Sequence, residues 1–393
     1  MSRFVGALLI ATVLALSSLL CRGSSQDSVS ALAEALSELP PNQTVLDLPK
    51  GTYTIGSTWS IHRAGVTVRG AGIGKTVLIR DPQFNGVMVN VDGANSTIAN
   101  LTLDGNGTER VIFLNGSGAI TETIEVKNFT HIGIAVPALA FGCRISHCVV
   151  TGNPDLPQGS MAIWHDAGKG QVPASDALVI DHNTVTGSGI YCTGGRVQLQ
   201  HNYLSQNHCV VGGGGGQMDI GNAFTTNTVA IIDNNTIVDG CNIKSGGIEM
   251  GGGDFTVTNN TIRNHGLSGI GVGHNAIHAT ITGNTISNSG HYITDKNKPP
   301  SRSGIYVMYG ARNIEISGNR CFDDQPDKTQ IWGVILQGAP GRADPRFAPT
   351  AIQHVLVRHN DLRGNIHPEG LLDESGARDR IVAGNLPPQA NRH

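Results

Sequence analysis

Four side chains in the second half of this sequence have the chemistry of acid, base or anion-holding groups. Glu249 stands in Gly-Ile-Glu-Met, beside the glycines Gly251–Gly253 and near His274. Tyr306 stands in Gly-Ile-Tyr-Val, and Arg302 lies a few residues before it. Carboxylate, imidazole and phenol all serve as general acids or bases. A second group holds flat or hydrogen-bonding surfaces: Trp164, His165, Asp166 and Tyr191. Aromatic rings offer a stacking face to a sugar, and Asp beside His can orient an imidazole or bind a cation. Lys296 and Lys298, with Arg302, form a basic stretch able to neutralise the carboxylate of a uronic acid. The plain alternatives are solvated loops for the basic and His-Asp groups, and an exposed solubilising charge for Glu249.

These residues matter because of the phrase that carries them. An apolar–x–apolar–x–Asn–x–apolar strand recurs as VIDHNTV at Val179–Val185, IIDNNTI at Ile231–Ile237, VTNNTI at Val257–Ile262 and ITGNTI at Ile281–Ile286, with further copies at LQHNYL, ISGNRC and VRHNDL. Each is followed by a Gly-Ile-x-x segment such as GIYC from Gly189 or GIEM from Gly247. Asn235, Asn260 and Asn284 are 25 and 24 residues apart by subtraction. A period of this size, filled with short strands and no helix, predicts a parallel β-helix. Strand alternation then turns Ile190, Ile248, Ile270, Ile305 and Val334 inward. It turns Tyr191, Glu249, Gly271, Tyr306 and Ile335 outward, with Met308 and Gln337 two residues further on. The Asn of each phrase suits a corner, since Asn tolerates left-handed backbone and can stack as an amide ladder.

Long insertions interrupt the repeat beside the Gly-Ile strand: Gly152–Ser160, Asp166–Asp176, Gly212–Asn227, Ser289–Ser303, Phe322–Gln330 and Gly338–Thr350. Loops that break a tight repeat gather on one face, often the binding face. They are expected to wall a groove over the outward residues. Asp323, Asp324 and Asp327 in one of them offer oxygen ligands for Ca²⁺, with an ordinary acidic loop as the alternative.

The rest of the chain bounds the answer. Residues 1–23 read as a secretory signal peptide: Arg3, an apolar run to Leu20, then small residues, with cleavage expected after Gly23. Cys21 leaves lipidation open. Residues 24–45 form a cap segment, with a helix expected over Asp27–Leu39 from the spacing of Val29, Leu32, Leu36 and Leu39. Residues 46–393 form the β-helix. GAGIGK at Gly70–Lys75 is rejected as a phosphate loop, because no Ser or Thr fits the frame and no helix follows. A net charge of −3 with 15% charged residues gives no electrostatic reason for a nucleic-acid partner. No later run is long enough to span a bilayer. The cysteines lack metal spacing and read as small core hydrophobes, with Cys192 and Cys209 the pair best placed for a disulfide. Asn95, Asn106, Asn128, Asn234 and Asn259 head Asn-x-Ser/Thr sequons of the kind that Asn-rich turns generate by chance.

The phrase KGTYTIGSTWSIHRAGVTVRGAGIGKTVL, followed by IANLTLDGNG and the N-T-I…G-I-x-V coils, resembles the pectate-lyase-like right-handed parallel β-helix superfamily. That resemblance implies an all-β, right-handed solenoid over nearly all the mature chain, with a polysaccharide cleft on one face. It implies no single activity, because lyases, hydrolases, epimerases and tailspikes share the fold. No Asn-Thr-Asp triplet, Asp-Asp at the Gly-Ile strand, Gly-His-Gly or Asp-Pro-His-Asp is present, and GVGHN at Gly271–Asn275 is only a partial echo. No catalytic residue carries over from a named family. The function expected is an exported enzyme on an acidic polysaccharide, by β-elimination or epimerisation, with Glu249, His274, Tyr306 and Arg302 catalytic. A glycoside hydrolase on the same groove and a non-catalytic polysaccharide-binding or surface structural protein are the alternatives.

Overall fold

The computed structural model describes residues 28–152, 160–167, 176–205, 216–222, 226–240, 245–273, 275–291, 302–308, 310–337, 352–377 and 379–387. The signal segment, Cys21, His274, Lys296, Lys298 and Cys209 lie outside the described residues. The fold is a right-handed parallel β-helix, and the chain divides into two compact units. The first comprises the chain up to Asn153 with residues 162–164 and 182–184; the second holds most of the remainder.

The first unit opens with one helix, α1 (Val29–Ser37). Its spaced apolar residues Val29, Leu32 and Leu36 are buried. Leu39, expected as the last of that stripe, falls just past the helix and is 9% exposed. Ser28 ties the helix start to the first coil: its N–H donates to the Thr54 carbonyl at 2.8 Å and its Oγ accepts from the Thr54 N–H at 3.1 Å. Arg63 locks the following turn by donating to the carbonyls of Leu39, Pro40, Pro41 and Gln43 at 2.8–3.1 Å. One stack of parallel strands then runs Val45–Leu48, Thr67–Gly70, Thr97–Ala99, Ile120–Glu122 and Arg144–Ser146. The glycines around Gly72 make a turn into strand Thr76–Arg80, not into a helix.

The second unit is the regular part. One stack runs Leu178–Asp181, Arg196–Gln200, Thr228–Asp233, Gly253–Thr258, His278–Thr282, Arg312–Ser317, Gln353–Arg358 and Arg380–Ala383, every pair parallel. Another runs Tyr203–Ser205, Thr236–Gly240, Thr261–His265, Thr285–Ser289 and Arg320–Phe322. The third carries the Gly-Ile segments: Gly189–Thr193, Gly216–Gly221, Gly246–Gly251, Ile270–Gly273, Ser303–Val307, Trp332–Gln337 and Leu371–Glu374. The five inward residues expected from alternation, Ile190, Ile248, Ile270, Ile305 and Val334, are all fully buried.

The corner between the first two stacks is the Asn of the repeated phrase. Asn202, Asn235, Asn260, Asn284, Asn319, Asn360 and Asn385 are almost wholly buried. From Asn202 to Asn360, each side-chain amide donates to the next residue's Oδ1 at 2.9–3.0 Å. Each of those oxygens also accepts the backbone N–H of the preceding Asn at 2.9–3.0 Å. The ladder thus satisfies the polar groups that a turn inside a solenoid would otherwise bury unpaired. The residue before each Asn takes left-handed backbone: φ is 55° at His201, 57° at Asn234, 56° at Asn259, 70° at Gly283 and 54° at His359. These are residue types that tolerate that region.

Cys143, Cys148, Cys192 and Cys321 are free, buried thiols, as the core-hydrophobe reading has them. Burial raises the Cys143 and Cys148 thiols to about 11 and drives those of Cys192 and Cys321 further up. They act as small core hydrophobes.

Candidate functional site

The outward side of the Gly-Ile stack in the second unit holds one continuous row. In register across successive strands stand Tyr191, Asp219, Glu249, Gly271, Tyr306, Ile335 and Leu372. Neighbouring strands lie about 4.8 Å apart, so Asp219 and Glu249 are side by side. Asp166 completes the acidic end, since its negative charge acts on Tyr191.

Asp219 is the residue that sequence inspection misses. Gly212–Asn227 reads as an insertion, yet Gly216–Gly221 is a full strand of the stack. The usable signal is Met218-Asp219-Ile220, an inward–outward–inward alternation framed by Gly216 and Gly221. Met218 and Ile220 are fully buried, and Asp219 points out. Enclosure of its carboxyl group, with the negative charge of Glu249 adding to it, holds Asp219 well above the usual carboxylate range. Burial also raises Tyr191, with Asp219 and Asp166 pushing the same way, while hydrogen bonds from Asn222 and Thr193 oppose the shift. Asn222 is itself fixed by donating to Thr193 Oγ1 at 2.9 Å.

Gly271 leaves a notch in the row. A methyl group added there would sit 3.6 Å from both Glu249 Oε2 and Met308 Cε. Beyond the notch the floor turns apolar. The Tyr306 hydroxyl donates to Gln337 Oε1. Ile335, expected to face out, does so by register but is fully buried, packed with Ile331 and Trp332 and covered by Tyr306 and Leu372. Trp332 is stacked on His367 at 4.1 Å between ring centroids.

The structure gathers only part of the expected set. Glu249, Tyr191 and Tyr306 share the row, with Asp166 beside Tyr191. His165 and Asp166 lie in strand Met161–Asp166 instead of a turn, and alternation sends His165 inward, where it is 5% exposed. That burial keeps His165 out of the outward row. Trp164 belongs to the first unit and is partly exposed there.

Arg302 does not reach the row. It is 8% exposed, and its Nε donates to the Thr329 carbonyl at 2.9 Å inside the turn before strand Ser303–Val307. Burial lowers its pKa, with Asp323 opposing. Asp323 closes that turn by accepting the N–H groups of Gln325, Thr329 and Gln330 at 2.7–3.0 Å, and Asp324 pairs with Arg263 at 3.2 Å. Asp323 thus serves its turn, as the acidic-loop reading has it, and Asp324 serves an ion pair with strand residue Arg263. Among the described residues, no group of three or more His, Cys, Asp or Glu is placed to hold a metal, and no helix is long and apolar enough to cross a membrane.

Comparison with known proteins agrees on architecture. Residues 171–321 match the family model for a right-handed β-helix region. The A-module of the Azotobacter vinelandii mannuronan C-5 epimerase AlgE4 superposes with a TM-score of 0.59 at 16% identity, covering 91% of this chain and 96% of that one. The AlgE6 A-module from the same organism gives 0.55 at 16% identity, covering 93% and 96%. The Dettilon tailspike protein gives 0.56 at 15% identity, covering 89% and 65%. No curated protein matches by sequence. Identities this low establish the shared fold alone.

Proposed function

We propose that the second unit is a polysaccharide-cleaving glycoside hydrolase, with Asp219 as the acid and Glu249 as the nucleophile. The observation that carries this is the register of Tyr191, Asp219 and Glu249 on three adjacent strands. A carboxyl group held above the ordinary carboxylate range can serve as proton donor beside a second carboxyl group that serves as nucleophile. Enclosure, with the Glu249 charge adding to it, holds Asp219 well above the ordinary carboxylate range, the direction that suits a donor to a glycosidic oxygen.

Side-by-side carboxyls on strands about 4.8 Å apart are closer to the roughly 5–5.5 Å pair of a retaining enzyme than to the wider inverting pair. Glu249 then attacks the anomeric carbon as the C–O bond to the leaving sugar breaks, and Asp219 gives its proton to that oxygen. Water next attacks the glycosyl–Glu249 bond while Asp219 takes a proton back. Tyr191 and Tyr306 flank the pair and offer stacking faces.

The named epimerase and tailspike folds are consistent with a polysaccharide ligand, and the N-terminal apolar segment with export. β-Elimination or epimerisation of a uronan calls for a cation on the substrate carboxylate. Arg302, the one described member of the Lys296, Lys298 and Arg302 set expected in that role, is bonded to Thr329 away from the row, which supports hydrolysis. Incubation with a polysaccharide panel tests the proposal: reducing ends of retained anomeric configuration, without the absorbance of unsaturated ends, are expected. Unsaturated ends indicate a lyase. Altered C5 configuration by NMR without chain cleavage indicates an epimerase, and binding with no product indicates a lectin-like role.

A further inference from the structure

Met308 lies flat against the groove floor because two glycines permit it. A methyl group at Gly273 would fall 2.7 Å from Met308 Cε, 2.9 Å from its Cβ and 3.1 Å from its Sδ. At Gly271 the same methyl would touch both Met308 Cε and Glu249 Oε2. The thioether therefore runs over Gly273 and reaches the Gly271 notch, which the Glu249 carboxylate also reaches. Tyr306 stands next to the notch, in register with Gly271, with Ile335 and Leu372 behind it.

The notch thus has a carboxylate on one side and an apolar wall on the other. On the described outward positions of these strands there are acidic side chains at Asp219, Glu249 and Glu374 and no basic one. A sugar carboxylate lodged there would meet a methyl group and like charge, with no cation among the described outward side chains of these strands to compensate its lost hydration. A methylene, methyl or bare ring face would meet complementary surface.

We infer that Met308 is a specificity-determining residue, and that the groove takes an uncharged polysaccharide whose unit beside Glu249 presents an apolar C6 edge or ring face to Met308 and Tyr306. This inference rests on the hydrolytic function proposed above for the location of the reacting unit. It replaces the acidic polysaccharide expected from sequence with a neutral one.

The experiment compares soluble neutral glucans, mannans and galactans with the same polymers oxidised at C6 to uronates. Affinity electrophoresis reads binding and a reducing-end assay reads cleavage separately. At least one neutral polymer is expected to bind, and its oxidised form to bind roughly tenfold or more weakly. Met308→Leu keeps that ratio. Met308→Lys, which brings a cation to the notch, shrinks it, and Gly273→Ala, which displaces Met308, disturbs it without new charge. Thermal melting checks that each variant is folded. Equal or tighter binding of the oxidised form, binding of uronans alone, binding of no polymer, or a ratio unmoved by Met308→Lys overturns the inference. A neutral polymer bound but not cleaved leaves the inference intact and removes the hydrolase. Hydrolysis of a uronan does the reverse.

Discussion

The Asn corner and the groove row of the second unit are both built by residues in register across successive coils, yet they obey opposite rules. At the corner the same residue recurs, and each amide satisfies the next. In the row the residue changes at every coil, from phenol to carboxyl to carboxylate to glycine to phenol, and neighbours disturb one another. Asp219 and Glu249 sit side by side as two acidic groups, and enclosure with the Glu249 charge holds Asp219 well above the usual carboxylate range. Identical stacked groups that complement themselves give stability. Unlike groups, or like charges, held at the same spacing cost stability and supply chemistry.

The largest expected effect lies in the row. Glu249→Gln or Asp219→Asn should lower kcat on a cleaved substrate by about a thousandfold, near 4 kcal/mol of barrier, with the fold intact by circular dichroism. The Asp219 variant also carries a sign. A carboxyl whose folded pKa is raised binds its proton more tightly folded than unfolded, so stability falls as pH rises from the ordinary carboxylate value through the raised one. At neutral pH Asp219→Asn is therefore expected to raise the melting temperature while abolishing activity. A fall in both would place Asp219 with the structural corner instead.

A second buried stack, Gly240–His265–Ser289, shows what a corner costs when it is not self-complementary. His265 is fully buried with Nε2 on the Ile237 carbonyl at 3.1 Å and Nδ1 without a partner. Burial lowers it from 6.5 to about 4, with His291 adding to the shift and the Ile237 carbonyl and Asp239 opposing it. The unfolded chain takes up this proton below its ordinary pKa, but the folded one only near 4. Stability should drop by about 3 kcal/mol between those pH values and level off below. Urea midpoints measured against pH check this, and His265→Gln should flatten the curve.

Next in size is Asn260→Ala. It removes an acceptor from the Asn235 N–H and a donor from the Ile232 carbonyl. Leaving such groups unpaired inside the coil should cost about 2–3 kcal/mol, read as a shift of the urea midpoint with activity per folded molecule unchanged. The smallest effect is expected one residue earlier. Asn259 and Gly283 occupy equivalent left-handed positions with φ of 56° and 70°. Asn259→Gly should therefore change stability by no more than about 0.5 kcal/mol, whereas Asn259→Val should cost about 1–2 kcal/mol.

Much of this architecture is legible in the sequence, for a local reason. The inward Ile190, Ile248, Ile270, Ile305 and Val334 follow from the two-residue period of a strand, and the stacked Asn corner follows from a conformational preference of one residue type. Glu249, Tyr191 and Tyr306 stand out because they sit one place after an obvious inward apolar residue. Asp219 is hidden because its strand lacks the Gly-Ile phrase and is surrounded by glycines that look like a loop. Arg302 misleads for the opposite reason: a position beside the groove in sequence says nothing about which side of the turn a long side chain takes.

By itself, then, the sequence determined the solenoid, the inward face and the amide ladder, because each depends on strand alternation or on one residue type recurring once per coil. Only the tertiary structure decided which outward residues share a row, that Asp219 lies between Tyr191 and Glu249, that Ile335 is covered, and that Met308 and Glu249 both reach the Gly271 notch. Those facts depend on register between strands about 20 to 40 residues apart, across insertions of unequal length. Backbone pairing and core burial set that register collectively, and no short window of residues contains it.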